Sequence, residues 1–314
     1  MPGNNASLQA IENYRKGTME KLGLGYEELT KINPGLIYLE ISGFGRTGPL
    51  SDQGGFDLVA QGMSGLMSIT GQGGHHEPVK VGAPVTDITA GILGAMGVSA
   101  AYAHKLKTGK GQRIDTSLYE AGITHTYWQS AIAFATGETP EALGSAHPLN
   151  APYQAFATQN GWINIGAANQ NNWEKLCQVL EVEFLLEDER FGSNEARMRN
   201  LSELVTVLNS TFSKNSTEHW LQELESAGVP AGPLLSIPEM HRHPQTLARN
   251  MVVESQHSKA GKVKGIGNPV KFSDTQSESH KAAPTLGEDT EEILVELGYS
   301  PEAIQSLKDS NVVS

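Results

Sequence analysis

The chain has 314 residues, a formal charge of −12 and a single cysteine, Cys177. That length predicts about two domains, each able to bury its own core. The acidic residues are scattered and form no basic stripe for nucleic acid, and one cysteine excludes an intrachain disulfide framework or a multi-cysteine metal site.

No basic region followed by an apolar one stands near Met1, and no uninterrupted apolar run approaches membrane-spanning length. The expectation is a soluble cytoplasmic protein, or in a eukaryote one of the mitochondrial matrix, with no membrane or nucleic-acid partner. Residues 17–22 read as a short charged helix, and a second helix ends near Ile32 before the turn Asn33-Pro34-Gly35. Leu36-Ile37-Tyr38-Leu39-Glu40-Ile41-Ser42 is mostly apolar between turn residues, as in a strand covered on both faces. A glycine-rich stretch, residues 43–55, precedes an apolar segment, 56–69, of helical character.

Residues 88–106 are apolar or small nearly all round, with Gly91, Gly94 and Gly97 at three-residue spacing. Glycine costs about 1 kcal/mol in a helix interior, so the pattern predicts a buried helix with another backbone packed against it. Residues 112–118 alternate as a strand does, which makes this part of the chain α/β. A polar linker, 137–150, leads into two strands, 152–158 and 162–165, around Gln159-Asn160-Gly161, a hairpin signal. Helices are predicted at 173–180, 201–212 and 218–225, with Trp173, Leu176, Cys177 and Leu180 on one core-facing side. After Met251 come strand and loop signals, then short helices at 290–297 and after Ser300-Pro301.

The candidate for chemistry is Asp87, in Gly82-Ala83-Pro84-Val85-Thr86-Asp87-Ile88, where a turn meets the glycine-spotted helix. Free N–H groups and the positive dipole end at that terminus would keep its carboxylate ionised and nucleophilic. The same position suits a simple N-cap, and the local sequence leaves both roles open. Gly43-Phe44-Gly45-Arg46-Thr47-Gly48 matches the dinucleotide fingerprint literally, but no helix start follows to receive a pyrophosphate. A loop that lets a ligand or another backbone come close fits better. His75-His76 and His241-Arg242-His243 lack companions at ligand spacing and read as surface histidines, so no metal is expected.

Several stretches, in order, carry a resemblance. They include Glu12-Asn13-Tyr14-Arg15-Lys16-Gly17, Ser42-Gly43-Phe44-Gly45-Arg46-Thr47-Gly48-Pro49, Gly55-Phe56-Asp57-Leu58-Val59-Ala60-Gln61 and Thr108-Gly109-Lys110-Gly111-Gln112. Pro152-Tyr153-Gln154-Ala155-Phe156, Ala227-Gly228-Val229-Pro230-Ala231-Gly232-Pro233 and Pro284-Thr285-Leu286-Gly287-Glu288 continue the series. Together they resemble the class III CoA-transferases, the group containing formyl-CoA transferase and carnitine CoA-transferase.

The resemblance implies CoA transfer between an acyl-CoA, succinyl-CoA for instance, and a carboxylic acid. Asp87 would be the nucleophile, passing through an aspartyl anhydride and an aspartyl-CoA thioester. Coenzyme A would be a substrate, with no tightly bound cofactor, and would be contacted by Asn13, Tyr14, Arg15, Lys21, Gly54, Gly55 and Phe56. The α-methylacyl-CoA racemases of the same superfamily carry a histidine at the position of Phe56, and phenylalanine cannot exchange a proton. An acyl-CoA racemase or isomerase, and a non-catalytic product that binds CoA or a partner, are the competing readings.

The implied architecture is a Rossmann-like α/β large domain, residues 1–146, a small α+β domain, 147–248, and a segment, 249–314, returning to the large domain, in an interlocked homodimer. Family members carry a nucleotide-binding-type α/β unit ahead of the equivalent of Asn13, so the large domain is expected to be N-terminally incomplete. Ser7-Leu8-Gln9-Ala10 lacks the apolar strand expected there.

Overall fold

Three parallel strands organise the first part of the chain in the computed structural model. They are β1 (Gln9–Glu12), β2 (Ile37–Ser42) and β3 (Gln112–Ser117), in the order β1-β2-β3. The structure describes residues 9–74, 77–275 and 281–313, so His75-His76 and Ser7-Leu8 lie outside the described residues. The chain divides into two compact units, residues 1–233 and 234–314.

β1 corrects one expectation, because a strand does precede Asn13. Gln9 pairs with Ile37 and Glu12 with Glu40, although Ile11 is 59% exposed. Backbone pairing to β2 and the buried Glu12 carboxylate, which meets Arg46, hold this strand without an apolar pattern. In the central β2, by contrast, Ile37, Tyr38, Leu39 and Glu40 are all buried, as a strand covered on both faces requires.

Before β2 come α1 (Thr18–Lys21) and α2 (Tyr26–Ile32); after it come α3 (Asp57–Met63), a 3-10 turn (Met67–Ile69) and α4 (Val85–Thr108). α4 is not the buried helix that its composition predicts. Ile88, Ile92 and Met96 are 53–63% exposed, and the buried positions are Thr86, Ala90, Gly94 and Ala101. The small residues form the contact stripe: a Cβ on Gly94 would stand 2.8 Å from Leu39 Cδ2, and one on Gly97 would stand 3.0 Å from Ile114 Cγ2. Side chains of β2 and β3, not another backbone, therefore require those two glycines, and Gly91 faces open space. α4 is also long and apolar enough, by length and composition, to cross a membrane, at a mean hydropathy of 1.2, which a search for uninterrupted apolar runs does not reveal.

α5 (Leu118–Thr124) and α6 (Tyr127–Thr136) follow β3. The hairpin predicted around Asn160-Gly161 is present as β4 (Tyr153–Ala157) and β5 (Trp162–Gly166), joined by β6 (Ala231–Pro233) in an antiparallel sheet. Between β5 and β6 run α7 (Gln170–Val179), α8 (Phe184–Glu187), α9 (Asn194–Arg199), α10 (Leu201–Phe212) and α11 (Thr217–Ala227). Their apolar faces enclose one core, in which Trp173, Leu176, Cys177 and Phe212 are fully buried. Cys177 is thus the core thiol expected, and burial pushes its pKa up to about 12.

The second unit contains α12 (Ile237–Arg242), α13 (Pro244–Ala248), the antiparallel pair β7 (Val252–His257) and β8 (Gly261–Ile266), then α14 (Thr290–Glu296) and α15 (Pro301–Asp309). The helices predicted at 290–297 and after Ser300-Pro301 are present. The whole is an α/β fold with parallel and antiparallel sheets.

Candidate active site

All three parallel strands end on the same side, and the segments that leave them form a cleft of about 550 Å³. Clefts outside the carboxyl ends of parallel strands are the usual ligand site of such sheets. β1 delivers Asn13, Tyr14 and Arg15 to its wall, β2 delivers Gly43 and Arg46, and the loop into α3 delivers Gly54, Gly55 and Phe56. Asp87 and Gly91 enter from α4. Of the residues singled out from the sequence, only Lys21, at the end of α1, does not line this cleft. A second cavity, about 420 Å³ beside β4, β5 and β6, has no acidic or basic side chain in its lining.

Asp87 is the third residue of α4, whose cap position is Pro84, so it is not the N-cap. The capping acceptor comes from another helix. Asp57 Oδ1 accepts the Thr86 backbone N–H at 3.1 Å and the Thr86 hydroxyl at 2.8 Å. Asp57 Oδ2 accepts from Gln61 Nε2 at 2.8 Å, and Gln61 Oε1 accepts the Val81 N–H at 2.9 Å. Asp57 and Gln61 thereby hold the turn that leads into Asp87. The Asp87 carboxylate itself accepts no hydrogen bond within the described residues.

The electrostatics of Asp87 run against the simple helix-terminus expectation. Desolvation by the cleft wall, and secondarily the Asp57 carboxylate, raise its pKa above the ordinary aspartate value. Its charged form is therefore less comfortable than a capped helix end alone would make it.

The glycines shape the cleft floor. A Cβ on Gly43 would fall 2.6 Å from the Gly55 nitrogen, and one on Gly55 would fall 2.7 Å from Gly43 Cα, so the two ends of the loop touch backbone to backbone. Gly54 lies against Arg15, its Cβ position 3.5 Å from a guanidinium nitrogen. The next helix after the fingerprint-like glycines is α3, which begins only at Asp57. The loop is a close-approach device, as its sequence suggests, and offers no helix start at the fingerprint itself.

Beneath the floor lies an ionic row that the sequence reading passed over. Glu12, Glu40 and Asp115 stand in one register across β1, β2 and β3. The buried Arg46 pairs with Glu12 and, at 3.0 Å, with Glu40; Arg113 pairs with the other oxygen of Glu40. Asp115 accepts the Arg46 backbone N–H at 2.9 Å. Burial raises the Glu12 pKa despite Arg46, and burial next to Glu12 and Glu40 lifts that of Tyr38 to about 12. The available signal was an acid at the end of each strand, with Arg46 in the loop after β2. Among the described residues no group of His, Cys, Asp or Glu side chains could hold a metal ion.

Comparisons with known proteins converge on one group. The human succinyl-CoA:glutarate CoA-transferase is 35% identical over 304 residues, which cover 96% of this chain and 69% of that one. The acetyl-CoA:oxalate CoA-transferase of Acetobacter aceti is 39% identical over 279 residues, 88% of this chain and 70% of that one. The crystal structure of a CAIB/BAIF family protein from Brucella suis matches with a TM-score of 0.80 at 36% identity, covering 93% of this chain and 75% of its own. The model of CoA-transferase family III matches residues 10–290. With that match spanning most of its length, the chain belongs to CoA-transferase family III.

Proposed function

We propose that this protein moves CoA between an acyl-CoA donor and a carboxylic acid acceptor, with Asp87 as the covalent nucleophile. The observation that carries this is the meeting of Asp87 with the strand-end segments 13–15 and 54–56 in one cleft. An Asp87 oxygen attacks the thioester carbonyl carbon; the C–S bond breaks and CoA leaves as thiolate, giving a mixed anhydride. The thiolate then attacks the aspartyl carbonyl, releasing the donor acid and leaving an aspartyl-CoA thioester. The acceptor carboxylate attacks that thioester, and the freed thiolate takes the acceptor acyl group from the resulting anhydride, which restores Asp87. Each step exchanges one activated acyl bond for another, so a residue whose anion is mildly destabilised suits both directions.

Asn13, Tyr14, Arg15, Gly54, Gly55 and Phe56 would contact CoA. The relatives' names support a dicarboxylic acid as one partner, and succinyl-CoA as a donor. The stripe Ile88, Ile92 and Met96 on α4, exposed at i, i+4 and i+8, supports a homodimer, which sedimentation analysis tests. Racemisation is disfavoured because Phe56, 80% exposed at the cleft, has no exchangeable proton. The test of the whole reading is the rate of CoA exchange between succinyl-CoA and a panel of carboxylic acids. Asp87→Asn should abolish exchange and leave CoA binding intact; undiminished exchange would overturn the assignment.

A further inference from the structure

Arg46, buried although part of the cleft lining, has no place in the chemistry just described, yet it holds the backbone of a second lining segment. Its Nη2 donates to the Tyr14 carbonyl at 3.1 Å and also pairs with Glu12 Oε1. The other oxygen of Glu12 accepts the Tyr14 N–H at 2.7 Å. Both backbone polar groups of Tyr14 are thus held by the two members of one buried ion pair. The Nε of Arg46 is fixed on Glu40 and its own N–H on Asp115, so the guanidinium cannot swing away.

We propose that Arg46 is a positioning residue for CoA binding: locked between Glu12 and Glu40, it clamps Tyr14 and so sets the shape of segment 13–16 that receives the ligand. The inference rests on reading the cleft as the CoA site. A planar fork is required because one side chain must donate in three directions at once, to Glu12, Glu40 and a carbonyl, which an ammonium on a flexible stem does not reproduce. Neither of Arg46's side-chain partners can be dropped cheaply, since an unpaired buried carboxylate is strongly unfavourable. The neighbouring contacts complete the fixation of the segment: Lys16 reaches Asp52 at 3.2 Å and Ser51 at 2.9 Å. Arg113 provides an internal control, because it pairs with Glu40 but does not touch Tyr14.

The experiment compares wild type, Arg46→Lys and Arg113→Lys by calorimetric titration with CoA, steady-state kinetics and amide hydrogen exchange without ligand. Arg46→Lys should weaken CoA binding and raise KM by about tenfold, with kcat at saturating donor within about threefold of wild type. In the free protein its Asn13–Lys16 amides should exchange about tenfold faster, and Arg113→Lys should change none of these by more than about twofold. If Arg46→Lys does not fold, the double variant Glu12→Gln with Arg46→Met leaves Glu40 paired with Arg113 and no buried charge alone, and the same losses are expected. Unchanged CoA affinity and exchange in a folded Arg46 variant would overturn the proposal, as would an equal loss in Arg113→Lys. Failure of the wild type to bind CoA would instead overturn the reading of the cleft, and faster exchange in segment 13–16 would separate the two outcomes.

Discussion

Asp57 caps a helix to which it does not belong: its Oδ1 accepts the backbone N–H of Thr86, the residue immediately before Asp87, at 3.1 Å. The carboxylate that the sequence suggested as either cap or nucleophile is thereby freed from capping, while a second carboxylate performs it. This division of labour generates testable consequences.

The first concerns Asp57 itself. Asp57→Asn retains an oxygen for Thr86 but sets its amide nitrogen against Gln61 Nε2, so it should lose some stability, less than Asp57→Ala. Asp57→Ala strands the buried Thr86 N–H and hydroxyl and should lose about 1–3 kcal/mol in chemical denaturation. Equal stability of the two variants would remove the capping role.

Proton affinity supplies the second. With its pKa raised above the aspartate value, Asp87 should lose activity on acidification at a higher pH than an ordinary carboxylate, and Asp57→Asn should move that limb to lower pH. The stability sign is the reverse of the usual carboxylate case: a raised folded-state pKa favours folding in acid, and that contribution disappears as pH rises through it. Asp87→Asn should therefore unfold at a higher temperature than wild type at pH 7, with the gap narrowing as pH falls. A gap that widens in acid would contradict the assignment.

Glycine geometry gives the third. Gly43→Ala brings a methyl within 2.6 Å of backbone, where neither partner can yield without moving the loop, and should cost about 1–3 kcal/mol. Gly91→Ala meets nothing within 4 Å yet lies on the cleft wall. It should stabilise α4 by about 0.5–1 kcal/mol while weakening CoA binding, because the methyl enters the ligand's space. Thermal unfolding paired with CoA titration reads both effects.

The fourth is a control on the α7–α11 core. Cys177 is fully buried with its pKa at about 12, so it should resist thiol reagents at pH 8 in the native protein and react once the chain is unfolded. Rapid native labelling would mean that this core opens readily.

Much of this architecture is written in local patterns. The apolar β2, the Asn160-Gly161 hairpin and the Trp173–Cys177 face follow from strand, turn and helix periodicities that tertiary packing did not override. α5 follows β3 without a break, so the strand pattern runs into it, although its start carries a capping signal, Ser117 accepting the Glu120 N–H at 3.1 Å. The burial of α4 is not legible in its composition, which reports how apolar a helix is and not which stripe is covered; Ala90 and Gly94 are buried, and Ile92 is not. The cleft residues 13–15 and 54–56 came from resemblance, and nothing in their own sequence marks them as neighbours of Asp87. Asp57 and Arg46 escaped notice because their partners, Thr86 and Tyr14, lie 29 and 32 residues away.

The most direct test follows an oxygen atom. When an acceptor acid carrying 18O in its carboxylate turns over, the anhydride step leaves one of its oxygens on the aspartyl side chain. Mass spectrometry of the peptide containing Asp87 should then show a gain of one heavy oxygen after a single turnover, rising toward two over repeated turnovers. Turnover that leaves this peptide unlabelled would contradict covalent catalysis by Asp87.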